Sequence, residues 1–275
     1  MANDRCGVLD PQHGTRTVMD AELVIVPDAD ALARESAQRL ADLAREAVES
    51  RGRFSVALSG GSTPGALYRL LAEEPYRSQI LWKQVHLFWA DERCVPPDDP
   101  GSNYRLAYEA LIAGVPVPQE NVHRVLGELG PKAAARAYDR ELRRFFGEMR
   151  PSFDLVLLGL GSDGHTASLF PDSEVLEETE RLAVAATAFY DSRPAERVTL
   201  TLPALNAARQ ILFLVSGIEK AGIVQTVLAD MQGCLPAGRI RPVAGQLTWL
   251  IDAAAATHLL GVLPLGPPAA VQKRM

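Results

Sequence analysis

What this chain lacks narrows the field before any motif is read. It has three cysteines, Cys6, Cys94 and Cys234, odd in number and far apart. That suggests neither a disulfide framework nor a zinc site, and it fits a reducing cytoplasm. No apolar run approaches the ~20 residues of a membrane span. Residues 1–19 mix Asp, Arg, Gln, His and Gly without an apolar core, so they do not read as a signal peptide. A flexible N-terminal tail is expected there, and a frayed C-terminus over 266–275. Positive charge is not in surplus: 34 Asp and Glu stand against 28 Lys and Arg, a net charge of −6. Nucleic acid, which wants a basic face, is therefore not an expected partner. An anionic ligand would need a local basic pocket.

What is present is ordinary for a globular protein. The 275 residues are 47% hydrophobic and 23% charged, enough to bury a substantial core. Residues 29–50 place Leu32, Ala33, Leu40, Leu43, Ala44, Ala47 and Val48 at helical spacing behind an Asp-rich cap. Short apolar runs at 54–58, 85–89, 154–158 and 210–215 read as buried strands, with less regular candidates at 182–187 and 197–201, and 247–251 with the alanines after it suggests more packed structure. Helical patterns lie between them: one follows Pro64, one runs from Ser102, one covers 131–149 and one follows Lys220. Strands alternating with helices imply βαβ units, hence a single α/β domain over residues 20–265 with a mainly parallel sheet flanked by helices.

Four loops are rich in residues that a core does not want: Ser59–Thr63, Asp91–Arg93, Gly159–His165 and Ser216–Lys220. Each follows an expected strand, and the carboxyl edge of an open α/β sheet is where ligands bind. Segments about 60 residues apart in sequence would then share one cleft.

The stretch Gly159-Leu160-Gly161-Ser162-Asp163-Gly164-His165 is the most specific. His165 is a natural general base near neutral pH, and Asp163, two residues earlier, is placed to orient it. The other reading is a hydrogen-bonding residue of a tight turn. The segment matches G-x-G-x-x-G, but Pro171 cuts short the helix that a pyrophosphate would need, so a nicotinamide cofactor is not expected. No second His or Cys nearby completes a metal shell. Ser59-Gly60-Gly61-Ser62-Thr63 suits phosphate capture through backbone N–H groups and hydroxyls, or is simply a turn and helix cap. No Gly-Lys-Ser/Thr follows it, and Pro64 stands where a nucleophile elbow has glycine. Asp91-Glu92-Arg93 is either a solvated charge run or a mixed site, with Asp91 at the reacting centre and Arg93 on an oxyanion. Lys220 is a surface lysine or a second cation for phosphate. Cys94 is a buried structural thiol or a reactive one.

Taken together these segments resemble the 6-phosphogluconolactonase family. The resemblance rests on Leu58–Pro64, Trp89–Arg93 with Ser102-Asn103-Tyr104-Arg105, and Gly159–Pro171, with looser agreement at Ser216–Lys220 and Trp249–Asp252. It implies a Rossmann-like single domain, related to glucosamine-6-phosphate deaminases and ribose-5-phosphate isomerases. It further implies cofactor-free and metal-free hydrolysis of 6-phosphoglucono-δ-lactone in the oxidative pentose phosphate pathway, by a cytoplasmic monomer. The site it implies has His165 as base, assisted by Asp163 and Asp91. Gly60, Gly61, Ser62, Thr63, Arg93, Asn103 and Lys220 would bind the substrate. N–H groups near Gly161–Gly164 are candidates for the oxyanion. Glucosamine-6-phosphate deaminases carry a Glu five residues after the turn histidine, where this chain has Phe170. A deaminase or isomerase, and a non-catalytic sugar-phosphate sensor, are the alternatives.

Overall fold

In the computed structural model the described residues are 15–18, 21–147, 152–188, 194–230 and 232–259. The chain begins with β1 (Thr15–Val18), β2 (Ala21–Val26), α1 (Ala29–Arg51) and β3 (Phe54–Leu58). Next come α2 (Ser62–Leu71), α3 (Tyr76–Gln79), β4 (Val85–Trp89), β5 (Asp91–Arg93) and α4 (Asn103–Ala110). Then follow α5 (Pro131–Phe146), β6 (Leu155–Leu158), β7 (Ala183–Thr187) and β8 (Glu196–Leu200). The last are α6 (Leu202–Asn206), β9 (Gln210–Val215), α7 (Ala221–Ala229) and β10 (Gln246–Asp252).

The main sheet has the order β1-β2-β10-β9-β6-β3-β4. Every pairing from β2 to β4 is parallel, and only β1 runs antiparallel, against β2. The mainly parallel, helix-flanked α/β fold is thus as the sequence led us to expect. β3 and β6 are buried along their whole length, as strands covered by helices must be. Helix α1 shows how local chemistry sets an element. The Asp28 carboxylate accepts from Ala31 N at 2.7 Å at its start, and Gly52, at φ 75°, ends it. Between these caps, Leu32, Ala37, Leu40, Ala41 and Ala44 form the face turned to the core.

Three departures from the sequence reading have physical reasons. First, β2 went unread, although Leu23-Val24-Ile25-Val26 ending at Pro27 is a β-branched run; it pairs with β10 inside the sheet. Thr15–Val18, placed in the tail by sequence, extend that sheet by one strand, whereas residues 1–14 and 266–275 lie outside the described residues. Second, β7 and β8 do not join the parallel sheet. Only residues 188–195 connect them, too few for a crossover, so they pair antiparallel. Third, Asp91–Arg93 is not a loop but β5, the edge of this second sheet, ordered β5-β8-β7.

On β4, His86 Nδ1 lies 3.1 Å from His123 Nε2, and His123 Nδ1 lies 2.7 Å from Glu141 Oε1. Phe88 stacks on His123, with ring centroids 4.3 Å apart. Burial pushes His86 down to about 4, helped by the charges of His123 and Arg53, and burial also lowers His123 against the pull of Glu141. In the unfolded chain both titrate near 6.5, so protons bind the unfolded state better. The neutral pair therefore contributes fully above about pH 6.5, and its contribution falls away toward about pH 4. We expect the stability advantage of the wild type over His86→Gln, measured by urea denaturation, to shrink steadily from pH 7 to pH 4.5. An advantage that is constant over that range would contradict this account.

Candidate functional site

β4, β3, β6 and β9 are consecutive neighbours in the sheet. Past their carboxyl ends come, in that order, β5 at Asp91 and the loops at Ser59, Gly159 and Ser216. All four segments line one cleft of about 440 Å³, a volume suited to a small ligand. A larger depression of about 730 Å³ lies beside α5 and β7, but its walls are mixed salt-bridging residues without a glycine loop. The smaller cleft is where chemically capable groups converge.

The rim is rigid because its backbone is satisfied beyond the ladders. The buried Tyr68 hydroxyl accepts from Ser59 N at 3.0 Å and donates to Ser59 O at 2.7 Å. Tyr138 does the same for Trp89, at 2.8 and 2.9 Å. Two strand ends are thereby pinned by phenols that burial holds neutral. From the first, Gly61, at φ 107°, turns the chain into α2, which begins at Ser62 with no side-chain cap. Ser62 and Thr63, which open it, line the cleft, and the first N–H groups of a helix lack an intrahelical partner, the arrangement that attracts an anion.

His165 and Asp163 meet in the turn after β6. Nδ1 of His165 lies 2.5 Å from Asp163 Oδ1, which also accepts the His165 N–H at 3.1 Å. A carboxylate only accepts, so the ring proton sits on Nδ1 and Nε2 is the basic nitrogen. His165 lines the cleft, and Asp163 stands behind it. Gly161 is required by proximity: a Cβ there would sit 2.0 Å from His165 Nδ1. Ala167, two residues on, is held at φ 49°, a left-handed conformation that costs an alanine about 1–2 kcal/mol. The N–H groups of Gly161 and Gly164 are spent inside the turn, on His165 O at 2.8 Å and Gly161 O at 3.1 Å. Of the N–H groups at Gly161–Gly164, these two are thus engaged within the turn. Phe170 is buried with its ring centroid 4.8 Å from that of His165, so the imidazole has an apolar neighbour on that side.

The cations come from three elements. Arg93 lines the cleft and donates to Gly101 O at 2.6 Å, while its buried Nε makes no hydrogen bond among the described residues. Lys220 Nζ donates to Leu160 O at 2.9 Å, tying the loop after β9 to the one after β6. Sequence reading missed the third, Arg197. It lies on β8 directly opposite Arg93 in the register and is 4% exposed. Two arginines facing each other across a ladder repel, and Asp91 Oδ2, 3.8 Å from Arg197 Nη1, opposes that repulsion. The neighbours of Arg197 in sequence, Glu196, Val198 and Thr199, carry no signal for it; the register with β5 does.

Asp91 and Asn103 also line the cleft but are engaged by protein groups. Asp91 accepts from Ser168 Oγ at 2.6 Å and Asn103 Nδ2 at 3.2 Å. Beside it, Glu92 is buried at the start of α4 and accepts from Arg93 N, Ser102 Oγ, Asn103 N and Tyr104 N, each within 2.9 Å. Burial raises its carboxyl pKa, although those donors oppose the shift. The Cys94 thiol is pushed up to about 11 by burial and by Glu196 and Glu92, so it stays protonated.

With the geometry in place, comparison with known proteins decides the family. The family described as glucosamine-6-phosphate isomerases/6-phosphogluconolactonase matches residues 27–249. The chain belongs to this family. Members similar to it include the 6-phosphogluconolactonase of Nostoc sp., 39% identical over 248 residues, covering 88% of this chain and 99% of that one. The 6-phosphogluconolactonase of Homo sapiens is 42% identical over 233 residues, covering 83% and 88%. Among solved structures, the 6-phosphogluconolactonase of Trypanosoma cruzi superposes with a TM-score of 0.78 at 28% identity, covering 89% and 98%. A monomeric glucosamine-6-phosphate deaminase shares the fold, with a TM-score of 0.72 at 22% identity.

Replacing Glu92 by Ala would strand several buried donors at the start of α4 and loosen this wall of the family's cleft. We expect a loss of roughly 2–4 kcal/mol in urea unfolding. A loss below about 1 kcal/mol would show that α4 does not depend on this carboxylate.

Proposed function

We propose that the chain hydrolyses 6-phospho-D-glucono-1,5-lactone to 6-phospho-D-gluconate, with His165 as the general base. The observation that carries this is that one cleft is lined by an Asp-oriented imidazole, a glycine loop and three cations. Relatives of similar length named 6-phosphogluconolactonase support the substrate, and the oxidative pentose phosphate pathway with it. Phe170 beside His165 favours hydrolysis over the deaminase alternative. The reading includes a monomer in the cytoplasm acting on a small phosphosugar lactone, without cofactor. Among the described residues, no helix is long and apolar enough to cross a membrane.

The N–H groups at the start of α2, the hydroxyls of Ser62 and Thr63, and the cations Arg93, Lys220 and Arg197 hold the phosphate. Anchoring that unreactive end sets the ester carbonyl against the imidazole, so binding energy is used for orientation. His165 Nε2 takes a proton from water as the water oxygen bonds to the carbonyl carbon. Asp163 stabilises the imidazolium that forms. Collapse of the tetrahedral oxyanion breaks the bond to the ring oxygen, and the imidazolium returns the proton to that leaving oxygen. General base catalysis of this kind contributes ~10²–10⁴-fold.

Two substitutions test the reading against the spontaneous hydrolysis of freshly made lactone in a pH-stat. His165→Ala should lower kcat at least about a hundredfold while keeping affinity for 6-phosphogluconate in calorimetry. Unchanged turnover would remove His165 from the mechanism. Arg197→Ala should raise KM for the phosphorylated lactone and leave weak turnover of unphosphorylated gluconolactone much less affected. Equal losses for both lactones would contradict a phosphate role.

A further inference from the structure

Asp91 looks, from sequence, like a second acid or base. Its surroundings also give it a task in the architecture of the cleft. It is 6% exposed, and both carboxylate oxygens face protein donors: Oδ2 takes the Ser168 hydroxyl at 2.6 Å, and Oδ1 takes Asn103 Nδ2 at 3.2 Å. Asn103 Nδ2 also donates to the Asp91 main-chain carbonyl at 2.9 Å. The two donors come from different chain segments. Asn103 opens α4 and is itself fixed by Glu92, whereas Ser168 lies three residues after His165 and is fully buried.

Each donor touches a segment that does chemistry. The other end of the Asn103 amide, Oδ1, is buried without a hydrogen-bond partner among the described residues and lies against Gly60. A Cβ on Gly60 would stand 1.9 Å from it, so the amide sets how deeply the glycine loop can sit. On the other side, Ser168 donates its N–H to Thr199 Oγ1 at 3.2 Å and its hydroxyl to Asp91. It thereby closes the turn in which Ala167 is kept left-handed, and a strained turn persists only where its neighbours over-determine it.

We propose that Asn103 and Ser168 are positioning residues that, through the buried Asp91 carboxylate, hold the glycine loop and the His165 turn at a fixed separation. Neither needs to touch substrate. The proposal rests on the lactonase reading of the cleft, and it assigns separate consequences to the two arms. Asn103→Ala lets the glycine loop sink toward α4, so KM for the phosphorylated lactone rises about tenfold with a smaller change in kcat. Ser168→Ala lets the His165 turn relax, so kcat falls about tenfold with KM nearly held.

The closing experiment is a double-mutant cycle of Gly60→Ala and Asn103→Ala, read both as kcat/KM on the lactone and as calorimetric affinity for 6-phosphogluconate. Thermal unfolding of every variant accompanies it. The proposal expects Gly60→Ala to be damaging alone and largely rescued by Asn103→Ala, whose missing amide makes room for the new methyl group. If Gly60→Ala folds only in the Asn103→Ala background, that is the same rescue. Equal damage in both backgrounds overturns the proposal, as does a joint shift of KM and kcat in both single variants. A wild type with no turnover above the spontaneous rate would sink the lactonase reading instead, and the coupling in 6-phosphogluconate affinity would still decide the clamp.

Discussion

Two neighbouring carboxylates buried at one strand end hold the rest of this cleft together. Glu92 gathers the backbone of α4, and Asp91 gathers Asn103, Ser168 and Arg197. Burying adjacent acids is unfavourable unless donors and cations surround them. Here the requirement is met by drawing three distant chain segments inward. The wall of the site is the arrangement that satisfies those charges.

That wall stands on a sheet whose strand ends are firm. In a parallel sheet the residues past the last ladder bond lose their partners, yet they carry the ligand-facing loops. Tyr68 and Tyr138 resolve the conflict by giving each end residue both a donor and an acceptor from inside the core. The segments after β3 and β4 are thereby fixed in position. Asp252, at the end of β10, extends the same device by accepting from Ser216 Oγ at 2.5 Å and from Gly217 N at 3.1 Å.

Much of this was legible in the chain. The apolar runs of β3, β4, β6 and β9 are buried on both faces, so each reads as a short block bounded by glycine or charge. The four loops announced themselves because a core rejects their residues. What escaped reading depends on contacts between segments. β2 was overlooked beside the Asp-rich cap of α1, and the pairing of β5 with β8 is invisible in a triplet that resembles a solvated charge run. Arg197 became visible only through that pairing, because its place opposite Arg93 is a matter of register. Asn103 was read as a substrate ligand from its motif; that its amide also donates to Asp91 and lies against Gly60 was not legible there.

The account is that one ligand spans the cleft, its phosphate among the α2 N-terminus, Arg93, Lys220 and Arg197, and its acyl carbon at His165. A structure of the protein with bound 6-phosphogluconate measures this directly. The account predicts the phosphate seated at Ser62 and Thr63 and the carboxylate within hydrogen-bond distance of His165 Nε2. A phosphate seated at His165, or a ligand lodged in the depression beside α5, would contradict it.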